Sequence, residues 1–301
     1  MLNNIKGFHI EPTNICTLKC PRCPRTKFID QFKMKNWGNS QLNLVDFKNF
    51  FDIKLDGLSF ALCGNYGDPI YYDNLIPMVQ WLKSKNARVT ITTNGSYRKL
   101  DWWQELGDQL TEEDTVKFSI DGSPKNFTEY RVNANWESIK IGIDVVVKSK
   151  AKTVWKYIPF SFNVDSIKDT ELLSKSLGIT SFELSPSDRW DGENDPLKPA
   201  EFTGARESSI VQWRNKHSSE LIDPKCTKNH YEHFISATGY YMPCCYLGDH
   251  RFYYKSKFYN NKEHYNISNT TITQVLEQTQ NFYKTIEDKK YNYCTFNCPK
   301  L

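Results

Sequence analysis

The chain has 301 residues, of which 39% are hydrophobic and 25% charged, and its formal net charge is +4. This length is enough for a full-sized buried core, and so small a net charge excludes a chain that is basic throughout, as many nucleic-acid or membrane-surface proteins are. No apolar run approaches the roughly 18 to 20 residues of a membrane span, and the first residues lack the basic and apolar regions of a signal peptide. We therefore expect a cytoplasmic protein with reduced thiols and no membrane contact.

The first two thirds of the chain alternate strand-like and helix-like segments. Strands rich in β-branched and aromatic residues are predicted at 6–11, 57–63, 88–93, 115–120, 154–163 and 181–185. Helices are predicted between them, at 44–55, 74–84, 101–110, 136–149 and 166–177. This alternation indicates a parallel α/β sheet, either open or partly closed into a barrel.

The pattern changes near residue 186, and we predict three segments: an α/β domain at 1–186, a connection at 187–225 and a small module at 226–301. The connection begins polar and contains proline, and it includes a predicted helix at 202–221. The module contains a predicted hairpin at 234–246, a loop at 250–265 and a helix at 272–288. That loop interleaves basic and aromatic residues, as nucleic-acid surfaces do. We favour aromatic packing over the module, which disfavours nucleic acid as a partner.

Nine cysteines form two groups and leave Cys63 between them, where it is expected to be a small buried hydrophobic residue. Disulfides fit poorly, because disulfide frameworks belong to short secreted chains. Cys16, Cys20 and Cys23 lie within eight residues after the first strand, so three thiolates can converge on one soft metal centre. Four ligands close a structural zinc site, whereas a [4Fe–4S] cluster held by three cysteines leaves one iron open. A zinc knuckle that borrows a ligand, or unligated thiols, are the alternatives.

This CxxxCxxC loop resembles the signature of radical SAM enzymes, and further motifs follow in that family's order. The second strand ends in CGNYGDP (63–69), similar to the family's glycine-rich acidic segment, and the third in TTNG (92–95). The fourth ends in FSIDG (118–122), followed by Tyr130 and Arg131. Each motif is weak alone, but each lies at the C-terminal end of a predicted strand, where parallel barrels place their sites. The resemblance covers residues 5–186 and implies a partial (β/α)6 TIM-like barrel.

The resemblance also implies cofactors and a reaction. Cys16, Cys20 and Cys23 would hold a [4Fe–4S] cluster whose open iron binds S-adenosylmethionine (SAM). Reductive cleavage of SAM, with an electron donor such as flavodoxin or ferredoxin, would give a 5′-deoxyadenosyl radical that abstracts a hydrogen atom from the substrate. The implied SAM contacts are Gly67, Asp68, Pro69, Thr93, Asn94, Ser119, Asp121, Arg131 and Asn163. Two positions depart from the family's pattern: Arg22 replaces a common aromatic residue, and Asp68 replaces the commoner Glu.

The C-terminal cysteines indicate a second metal centre. Four thiolates, enough to close a site, are provided by Cys226, Cys244, Cys294 and Cys298. Their spacing, with Gly239 between the first two, resembles the SPASM and twitch extensions of radical SAM enzymes and implies one auxiliary [4Fe–4S] cluster in a twitch-like α+β module. Cys245 is an alternative to Cys244, since consecutive residues of a strand point to opposite faces. Structural zinc, with His230 or His233 as a ligand, is the alternative metal site.

A fully ligated auxiliary cluster has no open iron, so it would pass electrons, which suits an oxidation. We expect an oxidoreductase-type radical SAM enzyme that oxidises or otherwise modifies a small, polar, sugar-like molecule. Modification of a peptide or RNA is an alternative, and a zinc-stabilised binding module without radical chemistry is the alternative of another class. Asp188, Arg189 and Trp190 follow the sixth strand and are expected at the barrel mouth, where a substrate would enter.

Overall fold

The computed structural model describes residues 5–31, 38–185, 187, 190, 194–200, 233–249, 256–286, 294 and 298. Its strands are β1 Gly7–Ile10, β2 Ser59–Leu62, β3 Arg88–Thr93, β4 Thr115–Ser119, β5 Lys152–Tyr157, β6 Ser181–Leu184, β7 His233–Ile235 and β8 Tyr241–Met242. They form one sheet in the order β6-β5-β4-β3-β2-β1-β7-β8. All neighbours pair in parallel except β7 and β8, which are antiparallel. The predicted α/β class with a parallel sheet is therefore confirmed.

The longer helices of the described chain are α1 Leu44–Phe50, α2 Leu75–Ser84, α3 Leu100–Gln109, α4 Trp136–Val146, α5 Ile167–Ser176 and α6 Ile272–Ile286. The first five alternate with β1 to β6, as the sequence predicts. Asn43 begins α1 because its side chain accepts hydrogen bonds from the backbone N–H groups of Val45 and Asp46. None of the described helices combines the length and the apolar character needed to cross a bilayer.

The two faces of the sheet differ in character, because side chains alternate along each strand. The helix-covered face carries buried apolar side chains, among them Phe8, Phe60, Val89, Phe118 and Trp155. The opposite face, here called the polar face, carries Thr92, Lys117, Ser119, Lys156 and Glu183, which the strand register places together. The core therefore lies between the sheet and the helices, and the polar face remains for a site.

The fifth strand is shorter than predicted. It ends at Tyr157, not at residue 163, because the backbone N–H of Ile158 donates to the Asp121 carboxylate and Pro159 has no N–H to offer a neighbouring strand. Asn163 therefore does not close the strand but precedes a turn of 3-10 helix at Val164–Ser166. Similarly, α1 ends at Phe50 and not at residue 55.

The C-terminal hairpin continues the sheet. β7 and β8 confirm the predicted hairpin, and Gly239 occupies its turn at φ +80°. β7 pairs in parallel with β1, so the C-terminal segment joins the α/β sheet directly. The division at 186 and 225 stays a prediction, and the predicted helix at 202–221 lies outside the described residues. The predicted loop at 250–265 includes two short helices, Lys257–Asn260 and Lys262–Tyr265.

Candidate functional site

The cysteine loop, residues 14–23, follows β1 and brings its three thiols close together. Cys20 is buried, whereas Cys16 and Cys23 are partly exposed. The Asn94 side-chain amide lies 3.7 Å from the Cys16 sulfur, and Nη1 of Arg131 lies 3.9 Å from the Cys20 sulfur. These N–H groups come from the end of β3 and the segment after β4, so two distant parts of the chain meet at the loop.

Two thiols of this loop, those of Cys16 and Cys20, have raised pKa values. Burial, assisted by the Asp68 carboxylate and the other two thiols, raises the pKa of Cys16 to about 12. Burial also raises the pKa of Cys20 to about 11, although Arg131 opposes that shift. Both thiols therefore stay protonated near neutral pH unless a positive centre displaces their protons. A metal centre supplies such a charge, so the chemistry of the three donors fits an iron–sulfur cluster.

Asp68 organises the strand ends from a buried position. One carboxylate oxygen accepts hydrogen bonds from the Thr93 hydroxyl at 2.7 Å and the Ile70 backbone N–H at 3.2 Å. The other accepts from the backbone and side-chain amides of Asn94, each at 2.6 Å. Burial raises the pKa of Asp68 despite these bonds. Because both oxygens are occupied, Asp68 positions Asn94 against Cys16.

The glycine-rich turn, residues 63–69, lies against the cysteine loop. A Cβ atom at Gly67 would come within 2.0 Å of the Thr13 carbonyl oxygen, so no other residue fits there without movement. Glu11, buried at the end of β1, accepts hydrogen bonds from the backbone N–H groups of Tyr66 at 2.7 Å and Gly67 at 3.3 Å. Glu11 is not among the predicted site residues; its signal is a carboxylate at the end of a predicted strand that is otherwise largely apolar.

Asp121 and Arg131 form a buried pair at the end of β4. Asp121 has φ +60°, a left-handed conformation that Asp tolerates better than most residues. Its carboxylate lies 2.5 Å from Nη2 of Arg131 and accepts the Ile158 backbone N–H at 2.7 Å. Burial alone would lower the pKa of Arg131, but Asp121 and Cys20 outweigh it and raise that pKa. Among the described residues, Nε of Arg131 is buried without a hydrogen-bond acceptor, which leaves one donor for a ligand.

Some of the remaining predicted SAM contacts already form hydrogen bonds within the chain, whereas Ser119 has a hydroxyl that can bind a ligand. The Asn163 amide donates to the carbonyl oxygens of Asp121 and Ile158 and accepts the Phe160 N–H, so it closes the loop after β5. Thr93 is held by Asp68, and Pro69 begins a buried turn of 3-10 helix. The side chain of Ser119 is partly exposed on the polar face and forms no hydrogen bond within the described chain.

A segment after β6, residues 194–200, packs over the cysteine loop. Nε of Arg22 lies 2.7 Å from Oδ2 of Asp195. An apolar cluster continues this contact and consists of Leu18, Cys20, Tyr130, Phe160, Trp190 and Leu197 with neighbouring residues. Trp190 therefore lies beside the loop, as expected for the barrel mouth; Asp188 and Arg189 lie outside the described residues.

Three of the C-terminal cysteines, Cys244, Cys294 and Cys298, also lie close together. Cys294 is buried, and burial together with Cys244 and Cys298 raises its pKa. The Cys298 backbone N–H donates to the Cys294 carbonyl at 2.8 Å. Phe258 and Leu247 pack with Cys294 in one apolar cluster, so the loop aromatic Phe258 is a packing residue. The fourth predicted ligand, Cys226, lies outside the described residues, as does His230.

The geometry bears on the zinc alternatives. Nδ1 of His233 lies 2.6 Å from the Tyr241 hydroxyl in a fully buried position between β7 and β8. Within the described chain, no three His, Cys, Asp or Glu side chains come close enough to hold a single metal ion.

Sequence comparison with known proteins finds a distant relative. No protein-family model matches the chain. A tungsten-containing aldehyde ferredoxin oxidoreductase cofactor-modifying protein of Pyrococcus furiosus is 23% identical over 202 residues, which are 60% of this chain and 54% of that protein. The chain therefore matches about half the length of this curated relative.

Solved structures of radical SAM enzymes share the fold. Streptococcus suis SuiB bound to S-adenosylmethionine aligns over 85% of this chain and 64% of its own, with a TM-score of 0.58 and 13% identity. anSMEcpe with bound AdoMet and Cp18Cys peptide aligns over 98% and 89%, with a TM-score of 0.62 and 14% identity. BtrN in complex with AdoMet and 2-DOIA aligns over 99% and 94%, with a TM-score of 0.50 and 13% identity. The predicted resemblance to radical SAM enzymes is thus confirmed for the fold.

Proposed function

We propose that the chain is a radical SAM enzyme whose first cluster is held by Cys16, Cys20 and Cys23. When bound, that cluster and SAM would supply a 5′-deoxyadenosyl radical that abstracts a hydrogen atom from the substrate. The observation that carries this proposal is the convergence of Asn94 and Arg131 on the sulfurs of the cysteine loop, at the carboxyl ends of the parallel strands. These are the strand ends at which parallel barrels place their sites.

The protein's own groups have separate tasks in this proposal. Arg131 and Ser119 offer N–H and O–H donors to the SAM carboxylate, which prefers charge-assisted hydrogen bonds. The glycine-rich turn lets backbone approach the ligand closely, and Asp68 holds Asn94 in place. The ion pair between Arg22 and Asp195 holds the segment 194–200 over the cysteine loop, where the segment would exclude water.

We assign Cys226, Cys244, Cys294 and Cys298 to one auxiliary [4Fe–4S] cluster in a twitch-like module. Cys244 and Cys298 contribute to the raised pKa of Cys294, which supports this assignment, and Cys244 rather than Cys245 is the contributor. With four protein ligands the cluster would accept an electron from the substrate, which suits an oxidation. A flavodoxin or ferredoxin would supply the electron for SAM cleavage, and reduced thiols suit a cytoplasmic enzyme.

A small, polar, sugar-like molecule is the substrate class that we favour. The charged side chains of the polar face support it, and BtrN, crystallised with 2-DOIA, shares the fold. Peptide modification is the second candidate, since anSMEcpe and SuiB share the fold and have been crystallised with a Cp18Cys peptide and a precursor peptide.

Metal analysis tests this proposal. Anaerobic reconstitution should give about eight iron and eight sulfide per chain, four of each for each [4Fe–4S] cluster. Variant C63A is the matched control, because it removes a thiol that is assigned to neither cluster. Stoichiometric zinc without iron would contradict the proposal and favour a zinc-stabilised binding module.

A further inference from the structure

Two lysines of the polar face have different surroundings. Nζ of Lys117, on β4, lies 2.8 Å from Oε2 of Glu183 on β6. Lys156 lies on β5 between these strands, in register with Ser119 on one side and Glu183 on the other. Its side chain is partly exposed and forms neither an ion pair nor a hydrogen bond with any described residue. Among the described residues, Lys117 is thus paired and Lys156 is not.

The strand register places Lys156 beside Ser119, the last residue of β4, on the polar face. The charge of Lys156 opposes the effect of burial on the pKa of Cys63, at the end of β2, and on that of Asp121, after β4. The ammonium therefore lies near the carboxyl ends of β2 and β4, whose following segments contact the cysteine loop. A ligand bound beside that loop would meet this ammonium.

The nearby carboxylates already have partners. Asp121 is bound by Arg131 at 2.5 Å and by the Ile158 N–H, and Glu183 is bound by Lys117. Within the described chain, neither carboxylate forms an ion pair with Lys156, so its partly exposed ammonium is open to an anion from a ligand.

We propose that Lys156 binds an anionic group, a carboxylate or a phosphate, of the substrate. This inference rests on the proposed function and narrows its substrate class from polar molecules to anionic ones. The carboxylate of SAM has other donors, Arg131 and Ser119, so Lys156 remains for the second ligand. An ammonium is a compact point charge that binds either anion. The experiment below distinguishes a carboxylate from a phosphate.

The test is calorimetric titration of the reconstituted, SAM-saturated protein with glucose 6-phosphate, gluconate and uncharged glucose. The wild type should bind one of the anionic probes at least about tenfold more tightly than glucose. Lys156→Gln should abolish that preference, whereas Lys156→Arg should retain most of it. Lys117→Gln is the matched control, since it alters a lysine of the same face that is already paired, and it should retain the preference.

Several results would overturn the inference. They are an equal affinity of the wild type for all three probes, an undiminished preference in Lys156→Gln, or an equal loss in Lys117→Gln. Weaker SAM binding by Lys156→Gln would assign the lysine to the SAM site instead. SAM cleavage, measured on the same preparations, separates the two proposals, because its absence in the wild type would count against the radical reaction and leave the binding result standing.

Discussion

Arg22 and Asp195 lie 2.7 Å apart although 173 positions separate them in the sequence. The contact ties the cysteine loop to the segment after β6. The Asp195 side chain is fully buried and that of Arg22 is 15% exposed, so the pair is poorly screened by water. Arg22 occupies the position at which radical SAM enzymes often have an aromatic residue. Here its ion pair with Asp195 holds the segment 194–200 against the loop.

Breaking the Arg22–Asp195 ion pair should make the segment 194–200 more mobile. Arg22→Gln removes the guanidinium that lies 2.7 Å from the buried Asp195 carboxylate, so hydrogen exchange in residues 194–200 should rise at least about tenfold. Lys140→Gln is the control, because it breaks the Lys140–Asp144 pair, whose side chains are both about 40% exposed, and such pairs contribute little. Unchanged protection at 194–200 in Arg22→Gln would contradict the assigned role.

Replacing Asp68 should weaken SAM binding without unfolding the chain. Asp68→Asn turns one oxygen, which accepts two hydrogen bonds, into an amide donor, so Asn94 or Thr93 must move. Groups that orient a binding site in this way typically change affinity by about 10- to 100-fold. Equilibrium dialysis with labelled SAM measures the change. Asp73→Asn, which alters an exposed carboxylate of the following loop, is the control and should bind SAM normally.

The auxiliary ligands can be separated from their neighbour by iron content. Cys294→Ala and Cys244→Ala should each lower the iron bound per chain, by up to about four atoms, because each leaves one iron of the auxiliary cluster without its protein ligand and the cluster prone to loss. Cys245→Ala should retain all of it. A loss of iron in Cys245→Ala, with none in Cys244→Ala, would exchange the two assignments.

Asp52 attaches α6 to the α/β domain from outside the helix. Its carboxylate accepts the Thr273 backbone N–H at 3.2 Å and the Thr273 hydroxyl at 2.9 Å, at the first turn of α6. Asp52→Ala should cost about 1 kcal/mol or less and speed hydrogen exchange at that turn, whereas Asp52→Asn should behave almost as the wild type. Equal exchange in all three proteins would show that this contact does not hold the helix.

The same contact has a pH dependence of known sign. Partial burial alone would raise the pKa of Asp52, but hydrogen bonds from Thr271 and Thr273 outweigh it and lower that pKa. A carboxyl group whose pKa is lower in the folded state stabilises that state, and its full contribution to the unfolding free energy is present above its unfolded pKa of about 4. This contribution is lost as the pH falls through the folded pKa. The difference in unfolding free energy between wild type and Asp52→Ala should therefore shrink below about pH 4.

Much of the fold could be predicted because local patterns determine it. The apolar strands and amphipathic helices are read from periodicity, and the motifs after β1 to β4 were placed correctly because parallel strands end at one edge. Asn163 was misplaced because the β5 ladder is ended by a distant group, the Asp121 carboxylate. Local propensity carries no signal of such a contact.

The contacts within the site were the least predictable part. Asp68 accepts hydrogen bonds from Thr93 and Asn94 on the next strand's end, and no local pattern in the sequence indicates these bonds. The pairing of Arg22 with Asp195 depends on how the segment after β6 folds back, and one sequence does not encode that pairing in any local pattern. The surroundings of Lys156 also depend on tertiary contacts, because the nearby carboxylates Glu183 and Asp121 pair with Lys117 and Arg131.

The central claim is that Cys16, Cys20 and Cys23 support radical chemistry on SAM. The most direct measurement is the formation of 5′-deoxyadenosine and methionine when the reconstituted protein is reduced anaerobically with dithionite in the presence of SAM. We predict 5′-deoxyadenosine from the wild type and from Cys63→Ala, and none from the alanine variants of the three cysteines, even where SAM still binds. Undiminished 5′-deoxyadenosine from those three variants, or none from a wild type that contains iron and sulfide, would contradict the account.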